Sequence, residues 1–135
     1  VVTAGRPRVW LHWVPAVVWA AVIFVLSAQS TLPAPPDGLS DKHSHALAFG
    51  LLALACLHGL VQGRWHDVRT GHAAGAALLA VAYGLSDEWH QAFVPGRMSD
   101  WADVVADATG AVVASGLGWA WAILLRRRAA RRSPP

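Results

Sequence analysis

Three stretches of this chain are apolar for about the length of a membrane-crossing helix, a fourth falls short of it, and polar or helix-breaking residues separate them. A helix rises about 1.5 Å per residue and a bilayer core is about 30 Å thick, so roughly twenty apolar residues suffice to cross. The first stretch covers residues 10–28, with Pro15 near its start, where a membrane helix tolerates proline. Arg6 and Arg8 precede it as they would precede a secretory signal, but no small-residue cleavage pattern follows, so a retained helix is expected. Residues 29–40 carry Pro33, Pro35, Pro36 and Gly38 and read as a loop. A second span is predicted over residues 44–61, followed by a polar connection over 62–71. The uncharged run of the third span ends at Ser86, so it reaches crossing length only by continuing through Asp87–Gln91, giving about 72–93. Pro95 and Gly96 then turn the chain into a fourth span over 103–125. The predicted fold is all-α: an up-and-down bundle of four transmembrane helices in one domain, residues 1–125, with a basic tail at 126–135.

Composition supports this pattern. The chain is 55% hydrophobic and 14% charged, against about 25% charged in ordinary soluble domains. The arginine-rich, alanine- and glycine-rich usage suggests a GC-rich bacterial source. The net charge of +3 does not point to nucleic acid, because Arg126, Arg127, Arg128, Arg131 and Arg132 follow directly on an apolar segment. With both termini inside, these five join Arg6, Arg8, Arg64 and Arg69 in the cytoplasm and leave only Lys42 and Arg97 outside. That asymmetry is the positive-inside pattern. Cys56 stands alone, which excludes an internal disulfide and a cysteine-cluster metal site, and it reads as a small buried hydrophobe.

The remaining polar residues recur at one depth. His45 lies 19 residues from Arg64, Asp87 lies 18 from Arg69, and Asp107 lies 19 from Arg126. Three spans therefore carry ionisable groups about 27–29 Å from the inner boundary. On the third span Ala76, Ala80, Gly84, Asp87 and Gln91 form a stripe; on the fourth, Asp103, Asp107, Gly110 and Ala114 do so. Small residues let membrane helices approach closely, so both stripes are expected to face the bundle interior. Ala106, Gly110, Ala114 and Gly118 could instead seat a second protomer; internal packing is the expectation, and the oligomeric state is left open. Six acids (Asp41, Asp87, Glu88, Asp100, Asp103 and Asp107) face two fixed cations. Such a surplus calls for protons, histidinium, a metal or a cationic ligand, and ionisable groups at that depth are functional by default.

The order and spacing of these residues resemble the VanZ-like family of small bacterial membrane proteins. The resemblance is carried by Phe24-x-Leu26-Ser27-x-Gln29, by Asp41-Lys42-x-x-His45, by Asp87-Glu88-x-x-Gln91-x-Phe93-x-Pro95-Gly96-Arg97, and by Asp103-x-x-x-Asp107-x-x-Gly110. It extends over roughly residues 24–116. Two positions depart from the pattern: Asp107 stands where Asn is frequent, and Ala46 where an aromatic commonly follows the histidine. The resemblance implies a multi-pass plasma-membrane protein with a role in the cell envelope, or in tolerance of glycopeptides of the teicoplanin type, and leaves any reaction undefined.

Three functions fit these residues. Asp41, Lys42, Asp87, Gln91, Arg97, Asp100 and Asp103 could bind an outer-leaflet lipid-linked precursor, phospholipid or lipidated glycopeptide, with Lys42 and Arg97 on its phosphate or carboxylate. Trp89 and Trp101 would then sit at headgroup level, as interfacial aromatics do. An enzyme acting on a lipid phosphate would use Glu88 or Asp107 as base, His45 or His90 as acid, and Arg97 to stabilise charge. A transport pathway is disfavoured by the lack of an acidic residue midway across. No cofactor is predicted; a divalent cation on Asp41, His45, Glu88 and Asp107 is the one metal reading, without a recognised zinc or two-metal spacing. The alternative to all three is a scaffold in which Lys42 and Arg97 neutralise carboxylates to lock helix ends. His12, His58, His66 and His72 lie elsewhere and are expected to serve packing.

Overall fold

The computed structural model describes residues 8–31 and 40–132. Residues 32–39 of the predicted proline-rich loop, its prolines among them, lie outside the described residues, as do Arg6 and the last three residues. A 3-10 turn, Val9–Trp13, leads into helix α1, Val14–Ser27. Pro15 falls in the first turn of α1, where a missing N–H costs nothing because no intrahelical acceptor is available. Helix α2 spans Asp41–Leu60, α3 spans Thr70–Gln91 and α4 spans Trp101–Arg132, with a short 3-10 turn at Trp65–Asp67. Among the described residues there is no strand.

Three segments are long and apolar enough to cross a membrane: Val9–Ser27, Asp41–Leu60 and Trp101–Arg132. Helix α3 has the length, at 22 residues, and continues through Asp87–Gln91 as its pattern requires. Those same charged residues keep it outside the group defined by apolarity. The outer surface is apolar, with Val17, Leu47, Leu78, Val105 and Leu117 all more than 60% exposed. Such a surface is at odds with water and suits hydrocarbon.

The interior is built around α2. Phe49, Leu52, Ala53 and Leu57 of α2 are buried against Ala76 and Ala80 of α3 and Ala111 and Ala122 of α4. Helices α2 and α4 touch backbone to backbone: a Cβ on Gly110 would collide with the backbone of Ala46, and one on Gly50 would lie 3.2 Å from the Gly110 carbonyl oxygen. Gly110 and Gly118 of α4 thus serve internal packing. Its most buried line, however, is Asp103, Asp107, Ala111, Ser115, Gly118 and Ala122, one residue on from the stripe expected at Gly110 and Ala114. The two lines do different jobs, one meeting α2 and the other filling the seam between α2 and α3. The α3 stripe is buried as expected, with Ala77 and Glu88 added.

Helix starts use histidine in place of the usual acidic capping partner. The Ser40 N–H donates to His43 Nδ1 at 3.1 Å, and the Arg69 N–H donates to His72 Nδ1 at 3.3 Å. Each satisfies a backbone donor that a helix start leaves open; His72 is therefore a cap rather than a packing residue. At the far end of α4 the helix runs on through the arginines. Arg126 turns back to donate to the carbonyls of His66 and Val68 at 2.8 and 2.9 Å, clasping the α2–α3 connection. His12 and His58 pack ring to ring near that same end, 5.5 Å apart.

Candidate functional site

The carboxyl ends of α1 and α3 and the amino ends of α2 and α4 gather at one end of the bundle, opposite the Arg126 clasp. There His45 Nδ1 lies 3.0 Å from Asp107 Oδ1. With Asp107 ionised the imidazole must donate, which leaves Nε2 as the free nitrogen. Nε2 stands 3.9 Å from both Asp41 and Asp103, beyond a direct hydrogen bond. The His45 ring stacks in parallel over Phe49, which in turn contacts Tyr83. Asp107 is 1% exposed, and the absence of a side chain at Gly84 makes room for its second oxygen: a Cβ there would fall 2.8 Å from Oδ2. That oxygen has no hydrogen-bond partner.

Lys42 is committed. Its ammonium reaches Asp100 at 2.8 Å and also binds Asp103, tying α2 to the start of α4. The hydrogen bond from Lys42 holds the Asp100 carboxyl below the usual carboxylate range, aided by the Ala102 N–H. Glu88, buried on α3, points at the α3–α4 connection, where one of its oxygens accepts from the Asp100 N–H at 2.9 Å and the Ser99 hydroxyl at 3.1 Å. Its other oxygen is buried without a partner. Asp87 accepts from Gln91 at 2.8 Å within α3.

Arg97 behaves differently. Its Nε is buried and unpartnered, and among the described residues it forms no ion pair. The scaffold reading required Arg97 to neutralise a carboxylate, and that half of the expected network is missing. Arg97 instead lines a cavity of about 140 Å³ with Asp41, His45, Asp87 and Gln91 at its polar end and Ile23, Leu26 and Phe49 as apolar wall.

His90, expected among the acid–base groups, faces α1: its Nδ1 lies 3.4 Å from the Ser27 hydroxyl and its ring packs on Phe24 at 4.7 Å. Ser27 and Ser44 both line the cavity but were absent from the expected binding set. The Ser27 signal was present in the Phe24–Gln29 pattern; Ser44 carries none, being one of many serines at a helix start. Trp89 and Trp101 stand exposed at this end. The expected cation set also shifts. Asp41, His45 and Asp103 offer ligand atoms within 4.8 Å of one another, whereas Glu88 is turned to the α3–α4 connection. Lys42 already bonds Asp103 there, so a metal would compete with an ammonium.

Apolar walls on all sides and ionisable groups crowded at one end define a helical membrane protein with a polar terminal site. More narrowly, the chain belongs to the VanZ/LLP1 family, whose pattern matches residues 12–125. That range includes every residue of the site. No curated protein and no solved structure matches the chain.

Proposed function

We propose that this protein crosses the bacterial plasma membrane four times, with both termini cytoplasmic, and binds the acidic headgroup of an envelope amphiphile at its outer end. The observation that carries this reading is the state of Arg97: a cation with a buried, unsatisfied Nε and no ion pair among the described residues, on a cavity that has Asp41, His45, Asp87 and Gln91 at its polar end and Ile23, Leu26 and Phe49 as apolar wall. A buried donor without a partner is costly, and a phosphate or carboxylate would satisfy it in a bidentate manner. Lys42 is not available for the same task, because two carboxylates already hold it. Ser27, Ser44 and Gln91 supply neutral polar groups beside it. The cavity fits a headgroup and the start of a chain rather than a whole lipid.

The test is binding of a spin-labelled phosphatidate to protein in zwitterionic vesicles. Arg97→Gln is expected to weaken binding about tenfold or more, since charge-assisted pairs contribute about 1.5–3 kcal/mol. Unchanged binding would remove the proposal. A role in glycopeptide tolerance is tested separately. Wild type should protect a sensitive host against teicoplanin, and Arg97→Gln at matched membrane levels should not.

A second reading rests on the His45–Asp107 pair. A carboxylate that fixes one ring nitrogen orients the other for proton transfer, as in histidine-based hydrolases. His45 Nε2 would then take a proton from water attacking a lipid phosphoester. Release of phosphate or of a headgroup that disappears in His45→Gln, with binding retained, would favour the enzyme over the binding protein.

A further inference from the structure

The seam between α1, α2 and α3 holds a second cavity, of about 210 Å³, directly inward of the first. Ala20, Leu52 and Tyr83 of this inner cavity stand one helical turn from Ile23, Ala48 or Phe49, and Asp87 of the outer one. The two spaces are therefore stacked end to end in one seam, separated by a single layer of side chains. That layer is polar-latched. The Tyr83 hydroxyl donates to the Ala20 carbonyl at 2.7 Å, and Trp19 Nε1 donates to the Ala48 carbonyl at 2.8 Å. Both acceptors are helical carbonyls, so each latch adds a bond without being needed to complete the helix it touches.

The inner cavity is lined by apolar side chains and opens sideways between Val17 of α1 and Leu79 of α3, which are 66% and 46% exposed. Polarity along the seam is graded: Arg97 with Asp41, His45, Asp87 and Gln91 at the outer end, then the aromatic layer, then hydrocarbon. The geometry points to a route for one hydrocarbon chain, entering laterally between α1 and α3 and lying in the inner cavity while its acidic headgroup meets Arg97. Tyr83 is the latch that closes this route. The inference rests on the headgroup reading above and adds to it the chain, its path and its gate. The occupant is a single-chain anionic amphiphile, or one chain of a larger one, taken from the bilayer rather than from water. The selectivity this implies comes from shape and headgroup charge, because a chain leaving lipid gains little from the hydrophobic effect itself.

The experiment is photolabelling of the full chain in phosphatidylcholine vesicles with two hexadecyl phosphate probes at equal low mole fraction. One carries a diazirine at the chain terminus, the other beside the phosphate. The expected result is terminal labelling concentrated on Trp13, Val17 and Leu79, and headgroup-side labelling near Ser27 and Gln91. Ala20→Phe, which fills the inner cavity, should reduce the terminal labelling at least about fivefold and leave the headgroup-side labelling in place. Arg97→Gln should reduce both. Hexadecanol bearing the same terminal diazirine should label all lipid-facing helices evenly. Terminal labelling spread evenly over exposed residues such as Leu51 and Val113, with headgroup labelling still dependent on Arg97, would overturn the chain route and leave the headgroup site standing. Headgroup labelling indifferent to Arg97→Gln would instead sink the reading on which the route depends. Should Ala20→Phe fail to fold, the position of the wild-type terminal label decides the matter by itself.

Discussion

Asp107 is the residue on which the candidate site turns, because a single carboxylate there accepts from His45 and is wedged against Gly84. Its second oxygen has no partner, so replacing the acid by its amide removes a buried charge and keeps an acceptor for His45. Asp107→Asn is expected to change stability by no more than about 1 kcal/mol, whereas Asp107→Ala leaves the imidazole donor unmatched and should cost about 1–3 kcal/mol. Thermal unfolding in a mild detergent distinguishes them; equal losses would show that charge, not hydrogen bonding, holds the pair. Gly84 gives a second expectation. A methyl there would lie 2.8 Å from the Asp107 carboxylate and 3.2 Å from Phe49, so Gly84→Ala should cost about 1–3 kcal/mol by overpacking. Gly116 on α4 has nothing within 4 Å, and Gly116→Ala should stabilise by about 0.5–1 kcal/mol through helix propensity alone. The same unfolding assay reads both, and opposite signs are the expected outcome.

Elements meet in this bundle through removed side chains as much as through apolar ones. Gly110 lets α4 touch the backbone of α2 at Ala46, so Gly110→Ala must push the helices apart. Because backbone, unlike a flexible side chain, cannot step aside, the loss should reach or exceed about 3 kcal/mol, the upper end for overpacking. Separation should also break the Lys42–Asp103 and His45–Asp107 contacts between the same two helices, so a folded Gly110→Ala protein should bind the phosphatidate probe poorly. Much of this was legible in the residue pattern. Ionisable groups recurring at one depth on three segments do converge, and the Ala76–Gln91 stripe is buried throughout. The one-residue offset on α4 was not legible, since periodicity gives a face but α4 turns two faces to two neighbours. Nor was the separation of the two cations. Lys42 and Arg97 carry equal charge in the sequence, and only the path of the α3–α4 connection hands Asp100 to one of them. His90 illustrates the same limit: it follows Glu88 by two residues, which on a helix rotates it to another side and onto α1.

Across the whole molecule, polar chemistry is segregated by end. One end holds every group of the candidate site, and the opposite end holds the Arg126 clasp and the exposed arginines beyond it, with Arg128 lying over Trp121 at 5.9 Å. Apolarity marks three segments as long enough to cross a membrane, while α3 is marked only by its length and by what continues through it. The clasp has a consequence for where the protein can work. Helix α4 is continuous from Asp103 to Arg126, so the distance of the His45–Asp107 pair from the opposite end is measured off from the carbonyls that Arg126 holds. The 19 residues from Asp107 to Arg126 correspond to about 29 Å, close to one hydrocarbon thickness. The molecule is in this sense a caliper. In bilayers much thinner than that span the headgroup site should stand proud into water, and in much thicker ones it should sink below the phosphates. Phosphatidate affinity measured across phosphatidylcholines of increasing chain length should therefore pass through a maximum. Releasing the caliper with Arg126→Gln should flatten that maximum without touching any residue of the site.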